Sequence, residues 1–298
     1  MKSYTNLRSL FGTLTKNTTT ANLTLGDELI NDEHRHLCSL RDFEFLHRPR
    51  TITTVASTQF YALPYDVDTI DSISVTVGSY TYTPRPVRSR SDWDRVNVTS
   101  VLSDIPELFY VYNGQVGLFP KPATGSNTIT VNAKIRPVDL NTADITTTTI
   151  TTLANGSTAL TVSAGLTAKM VGFWIRPTFS TTANTGDGQW YEIASVTNAT
   201  TAVLARGYGG TSIAVGTAPC TIAQMPLLPE VFHDTPAYLA AATYWEVQGD
   251  NKRSSSFRAK YERDKVSLLA QYSSYITDVV LDDGEDTQFT NPNLYISL

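Results

Sequence analysis

Residues 109–120, FYVYNGQVGLFP, decide how the middle of this chain folds. Two apolar runs flank Asn113-Gly114, and Pro120 follows the second run. Asn-Gly readily supplies the two residues with positive φ that a type I′ turn requires, and a proline stops a strand from continuing. The stretch therefore predicts two antiparallel strands that are joined by a tight hairpin.

Strand-like patterning continues on both sides of this hairpin, over residues 51–137. A turn at Gly78-Ser79 separates an alternating apolar segment from Tyr80 and Tyr82. Such alternation is typical of half-buried strands that lie next to each other. We therefore expect a β-meander, whose apolar positions include Phe60, Tyr61, Leu63, Ile70, Ile73, Val75 and Val77.

A helix is predicted before this β region, from near Thr24 to near Leu46. Its apolar residues recur at helical spacing, and acidic residues crowd its first turns. His34 and His36 lie in it, but side chains two positions apart on a helix point in different directions and cannot share a metal ion. We interpret both as solvated surface histidines.

A pair of helices is predicted near the C-terminal side of the chain. Pro236 at a first helical position and Gly249 after the last turn bound the first helix. The second helix starts near Ser254 to Ser256 and carries an apolar stripe. The pair should pack against the N-terminal helix; the stripe consists of Phe257, Tyr261, Leu268, Leu269, Tyr272, Tyr275 and Ile276.

Composition indicates a folded, soluble chain. The sequence is 41% hydrophobic and 17% charged, with a net charge of -5, which does not suggest a general nucleic-acid binder. No secretion signal and no apolar run of about 20 residues is present, so we expect synthesis in a cytoplasm and no membrane association. Cys38 and Cys220 are interpreted as unpaired buried thiols, with one disulfide as the alternative.

No arrangement of residues in the sequence points to catalysis. Serine, histidine and aspartate occur, but no Gly-x-Ser-x-Gly turn or metal-binding histidine pair orders them. Asp104 and Glu107 have no neighbour that would make an acid/base pair. We expect no enzymatic activity, no metal and no cofactor.

The order of motifs between Asn31 and Pro122 resembles the head-tail adaptor proteins of tailed bacteriophages. The motifs are NDE in the first helix, then FYxLP, DWD, DIPxxFYV and NGxxGLFPxP. In that family a further strand, here residues 129–135, and a closing pair of helices follow. The resemblance covers residues 20–137 and 226–275.

The resemblance implies an α+β fold and a place in the virion. The predicted fold is a helical bundle, made of the N-terminal helix and the C-terminal helical hairpin, with a β-meander and an inserted small all-β barrel or sandwich. It divides the chain into an adaptor core (residues 1–138 and 226–276), an inserted β domain (139–225) and a C-terminal arm (277–298). It further implies a ring, usually dodecameric, beneath the portal protein at the neck, assembled in the host cytoplasm. Tail proteins of the nozzle or fibre type attach to this ring, and genomic DNA passes through it without sequence-specific binding.

The inserted domain is rich in aromatic residues. Short strands separated by turns at residues 186–188 and near Asn198 fit a small barrel or sandwich. Trp190, Tyr191 and Tyr208 are the predicted contacts of this domain with a partner protein. Core packing of at least two aromatic residues and a sugar-binding platform that includes Trp174 are the alternatives.

Charged and apolar surfaces outside the insertion give further contact predictions. Arg258 and Arg263 on the last helix should face another subunit or the portal, although pairing of Arg258 with Glu262 and of Lys260 with Asp264 is an alternative. The arginines around Trp93 indicate a basic loop. The arm should dock on a neighbouring subunit because its apolar side chains are costly to leave in water; they are Phe289, Leu294, Tyr295, Ile296 and Leu298.

Two other functions stay open at this level. A carbohydrate-binding or adhesin tail subunit would use the aromatic residues of the insertion, and a tail-tube or baseplate protein is a structural alternative. A structural adaptor is the function that the ordered motifs favour.

Overall fold

The computed structural model describes residues 1–97, 101–179, 186–213 and 218–272. Within these ranges the fold combines helices and sheets, as the sequence predicts. The helix α4 is central to the helical part, since α1, α2 and α5 each pack against it. The α-helices are α1 (Tyr4–Thr15), α2 (Thr20–Ser39), α3 (Arg90–Val96), α4 (Thr235–Val247) and α5 (Asn251–Tyr272).

The strands form two four-stranded sheets and one closed barrel. In chain order they are β1 (His47–Thr53), β2 (Phe60–Ala62), β3 (Val67–Val77), β4 (Tyr80–Tyr82), β5 (Arg85–Pro86), β6 (Leu108–Tyr112), β7 (Gln115–Phe119), β8 (Thr128–Ile135), β9 (Thr149–Leu153), β10 (Ala159–Val162), β11 (Trp174–Pro177), β12 (Tyr191–Val196), β13 (Thr201–Leu204) and β14 (Ala218–Ala223).

The two open sheets share one apolar core. The first sheet has the order β1-β8-β3-β4 and the second has the order β2-β7-β6-β5. Ile73, Val75 and Val131 of the first sheet meet Val116 and Leu118 of the second. Alternate residues of each strand thus face inward, as the period of two predicts.

The predicted hairpin is confirmed. The strands β6 and β7 pair antiparallel, with Val111 opposite Val116 and Tyr112 opposite Gln115. Asn113 and Gly114 have φ values of 48° and 71°, which are those of a type I′ turn. The turn at Gly78, which joins β3 to β4, is confirmed as well.

The inserted region folds as a closed barrel of six strands in the order β10-β13-β12-β11-β14-β9. Its interior is filled by aliphatic residues such as Ile150, Leu160, Ile175 and Ile193. Of the two predicted architectures, barrel or sandwich, the barrel is the one observed. Closure removes the free strand edges that a small open sheet would expose.

The N-terminal helix differs from its prediction. Its main part, α2, begins at Thr20 and not near Thr24, and it ends at Ser39; residues 44–46 form only a short 3₁₀ turn. Pro49 lies inside β1, which it can do because β1 is an edge strand of its sheet.

The helix α1 was not predicted at all, although the sequence contains its signals. Tyr4, Leu7 and Phe11 fall on one face and are buried, and the Ser3 hydroxyl accepts a hydrogen bond from the Asn6 amide. The helix packs closely on α2, because a β-carbon on Gly26 would lie 2.3 Å from the Phe11 ring.

The two C-terminal helices are present near the predicted positions. Thr235 and Pro236 open α4, and Gly249 follows it with a φ of 79°. The start of α5 is Asn251, three residues before the prediction, since the Asp250 carboxylate accepts a hydrogen bond from the Arg253 amide at 3.0 Å.

Candidate assembly surfaces

The chain passes between the barrel and the rest of the molecule twice, once on entering the barrel and once on leaving it. These two chain crossings lie side by side. The Gln224 side chain donates to the Asp139 carbonyl at 2.7 Å and accepts from the amides of Asn141 and Thr142 at 2.9 and 3.0 Å. One amide group therefore holds the strand that leaves the barrel against the segment that enters it.

Ion pairs hold the barrel against the first sheet. Arg48 of β1 donates to Glu192 of β12 at 2.6 Å, and Arg50 of β1 lies 3.9 Å from the same carboxylate. Within the sheet, Arg50 donates to Asp66 at 2.7 Å, with both side chains almost fully buried. The Tyr65 hydroxyl adds a hydrogen bond to the Lys169 carbonyl at 3.2 Å. Because a buried charge is costly unless it is paired, this junction favours a single relative position of barrel and sheet.

His34 is buried, so the prediction of two surface histidines is wrong for this residue. It is 1% exposed, and its Nε2 accepts a hydrogen bond from the Leu227 amide at 3.0 Å. Burial, reinforced by the charges of His233 and Arg35, lowers the pKa of His34 to about 3. The ring is therefore neutral and serves as an acceptor between α2 and the chain that leaves the barrel. His36 is exposed, as predicted.

Two of the three predicted contact residues of the barrel lie in its core. Tyr191 and Tyr208 are 3% and 1% exposed, with ring centroids 5.4 Å apart. The structure thus shows the core-packing alternative for this pair, because their positions on the strand and loop point inward. Trp190 is half-buried beneath the Arg176 guanidinium, 4.7 Å from the ring centroid, and is the member of the three that a partner can reach.

The basic face of α5 is paired differently from the prediction. Arg258 donates to Glu246 of α4 at 2.6 Å, Arg263 donates to its neighbour Asp264 at 3.1 Å, and Lys260 lies over the Tyr238 ring. The pairs given as the alternative, Arg258 with Glu262 and Lys260 with Asp264, do not form. Arg263 is 75% exposed, and its contact with another subunit stays a prediction.

The predicted arm residues Phe289, Leu294, Tyr295, Ile296 and Leu298 lie outside the described residues. Their role as a docking segment stays a prediction.

The segment around Trp93 is a short helix, α3, and not a loop. Ser89 caps it, and Trp93 is buried against Phe60 and Tyr110. Four exposed arginines surround it, and we call them the arginine patch: Arg85, Arg88, Arg90 and Arg95. Arg90 lies 5.0 Å above the Tyr112 ring and also pairs with Asp94. Among the described residues, Arg85 and Arg88 have no acidic partner within 4.0 Å.

An apolar groove opens at one side of the paired sheets, and we call it the side groove. It has a volume of about 610 Å³ and lies between β3 of the first sheet and β6 of the second. Its lining includes the apolar residues Leu63, Val67, Ile70, Phe109 and Val111, together with the charged residues Asp68, Asp71 and Arg136. Sequence analysis missed this groove because its walls come from strands about 40 residues apart.

The described residues contain no group of three or more histidine, cysteine or acidic side chains that could bind a metal ion. Cys38 and Cys220 are unpaired and buried, as predicted, and burial raises the pKa of each thiol to about 12. Both thiols are therefore poor nucleophiles. None of the helices in the described ranges is long and apolar enough to span a membrane.

Comparison with known families places this geometry in the class of phage adaptor structural proteins. The model of the SU10 adaptor protein family matches residues 3–155, which run from α1 through both sheets to the first barrel strand. The chain belongs to the SU10 adaptor protein family. No curated protein matches the chain. The family is one of structural adaptors and implies portal and tail partners and a position at the virion neck.

Proposed function

We propose that this chain forms a dodecameric ring beneath the portal protein and joins the portal to tail proteins of the nozzle or fibre type. The observation that carries the proposal is the family match, because its 153 residues cover three α-helices, the strands of both open sheets and the first barrel strand. In a closed ring every subunit is held on two sides, so modest contacts such as those offered by Arg263 add up to a stable assembly.

The ring leaves a channel for DNA in this proposal. A net charge of -5 suits a conduit, because phosphates that pass carboxylates are not retained by the release of counterions. The exposed arginines noted above are few and local. We therefore propose passage of genomic DNA without sequence-specific binding.

The proposal assigns a role to each predicted part of the chain. The adaptor core, residues 1–138 and 226–276, contributes a helical bundle that faces the portal, and the inserted domain, residues 139–225, projects outward to hold a tail component. The side-by-side chain crossings at Gln224 support this, since an insertion with adjacent ends is tolerated at a surface. The arm, residues 277–298, docks on a neighbouring subunit.

A carbohydrate-binding role has less support. Burial of Tyr191 and Tyr208 removes two aromatic rings from the supposed sugar platform and leaves the half-buried Trp174 and Trp190. No observation favours this function over the adaptor.

A phage that carries a nonsense mutation in the gene for this chain tests the proposal. It is grown with and without the intact chain supplied in trans. We expect DNA-filled heads and free tails that are not joined, and joined infectious particles when the intact chain is supplied. Normal yields of joined particles without the chain would contradict the proposal.

A further inference from the structure

The side groove is bordered by strand edges that have no partner. The strand β3 pairs with β8 over Val67–Thr76, but on its other side β4 pairs only with Val75–Val77. Likewise, β5 pairs only with Leu108 and Phe109 of β6. Within the part of the chain that the structure describes, the outer edge of residues 68–74 is therefore open. An open edge presents unpaired amides and carbonyls and is a template for another strand.

The floor beside these edges is apolar. Val67 and Ile70 of the first sheet and Phe109 and Val111 of the second line it. Val111 is 40% exposed in the isolated chain. A strand that is added along β3 would direct every second side chain onto this floor. The volume of about 610 Å³ lies within the range of about 300–1,000 Å³ that is usual for binding pockets.

We propose that the side groove binds residues 282–298 of a neighbouring copy of this chain as an added β-strand. Residues 294–298 read Leu-Tyr-Ile-Ser-Leu, so Leu294, Ile296 and Leu298 alternate with the period of a strand. This pattern matches an apolar floor on one side and solvent on the other. The inference deepens the proposed function by naming the site on which the arm docks.

Charge complementarity supports the same occupant. Four acidic residues stand at positions 282, 283, 285 and 286, just before the apolar part of the segment. Pro86 of β5 lines the groove, and the exposed Arg85 and Arg88 are next to it in the chain. The apolar half of the segment therefore fits the groove, while the acidic half meets the arginine patch.

The segment is long enough to reach another subunit. The described part of α5 ends at Tyr272, and residues 273–298 follow it. At about 3.3–3.6 Å per extended residue they span at most roughly 90 Å, which is about three times the width of a small domain. In a ring each subunit then contributes one segment and one groove, which is a head-to-tail contact that closes.

Cross-linking of the full chain, co-expressed with the portal protein of the same phage, tests the inference. Thr69→Cys places a thiol on the open edge of β3, and Ser297→Cys places one in the segment. A short bismaleimide joins them and tolerates a small shift in register. Cys38 and Cys220 are each 2% exposed and stay out of the reaction. The matched control replaces Thr69→Cys by Thr51→Cys, an exposed residue on the opposite edge of the same sheet.

We expect a product of twice the chain mass with Thr69→Cys and little with Thr51→Cys. Adding Val111→Lys should reduce this product about tenfold, because a charge would then be buried on the apolar floor. Val203→Lys, on a barrel strand and 38% exposed, is the matched control and should leave the product unchanged.

Each other result overturns the inference. A portal complex that forms without the cross-link, or with equal cross-linking at Thr51→Cys, shows that the groove is not the docking site, while the proposed function stands. If the cross-link forms only within a single chain, the segment in the groove does not come from a neighbouring copy. If no portal complex forms, the proposed function fails and the inference, which rests on it, fails with it.

Discussion

At the scale of single residues, the junction between barrel and sheet depends on charges that are removed from water. The Nε and Nη2 atoms of Arg50 both donate to one oxygen of Asp66, at 3.0 and 2.7 Å. Loss of either partner would leave a buried charge without compensation, which costs about 3–5 kcal/mol. The pair lies within the first sheet, where it holds the Arg50 side chain 3.9 Å from Glu192 of the barrel.

His34 makes the stability of the molecule depend on pH. Its pKa is about 3 in the folded chain against 6.5 for an ordinary histidine, so below about pH 6.5 the unfolded chain binds a proton that the folded chain does not. The free energy of unfolding should fall by about 1.4 kcal/mol per pH unit in this window, or about 2 kcal/mol from pH 7 to pH 5.

We predict that His34→Gln, whose side chain can still accept from Leu227, loses this part of the pH dependence. Urea unfolding at several pH values measures it, with the exposed His36→Gln as the control. Other titrating groups act alike in all three chains and cancel in the comparison. Equal slopes for His34→Gln and the unsubstituted chain would contradict the account.

Residue roles of this kind were difficult to predict from sequence. Helical spacing placed His34 on α2, but its partner Leu227 lies 193 residues away, and no local pattern reveals it. The same holds for Arg50 and Asp66, which meet only because β1 and the start of β3 flank the same strand, β8. For Tyr191, alternation along the strand decides burial, but the sequence did not reveal which face was the interior.

At the scale of elements, α3 is attached to the second sheet through one tryptophan. The Trp93 ring is 1% exposed and is stacked on Tyr110 with ring centroids 5.5 Å apart. It lies over Gly117 of β7, where a β-carbon would be 3.0 Å from Trp93 and 2.7 Å from Phe60. Glycine at this position therefore makes room for the two rings that hold α3.

We predict that Gly117→Ala lowers the free energy of unfolding by about 1–3 kcal/mol, because both rings must shift in a packed site. Thermal and urea unfolding measure the change, and near-ultraviolet circular dichroism reports the position of Trp93. Gly125→Ala, where the nearest atoms would be 3.4 Å away, is the control and should be nearly neutral. A Gly117→Ala chain as stable as this control would refute the packing argument.

Elements with strong local signals were predictable. The Asn113-Gly114 turn and the prolines at 120 and 236 determine local backbone geometry by themselves, and these elements lie where the sequence placed them. Boundaries set by tertiary contacts were not. The helix α2 starts four residues before its predicted start, and α1 packs on it at Gly26. Trp93 is buried against Phe60 and Tyr110 of the second sheet, which its local sequence does not reveal.

At the scale of the whole molecule, a body that matches the SU10 adaptor protein family carries a closed barrel on two adjacent chain crossings. Among the residues that the structure describes, the barrel has no free edge, whereas the body presents the open edges of β3 and β6 beside an apolar groove. Surfaces available for further strands are thus concentrated on the body, which is where the proposed ring would need its subunit contacts.

The native mass of the full chain, measured alone and with the portal protein of the same phage, tests the central claim most directly. We expect a complex in which twelve copies of the chain bind one portal ring, and a smaller species when the portal is absent. A chain that stays monomeric in the presence of the portal ring would contradict the account.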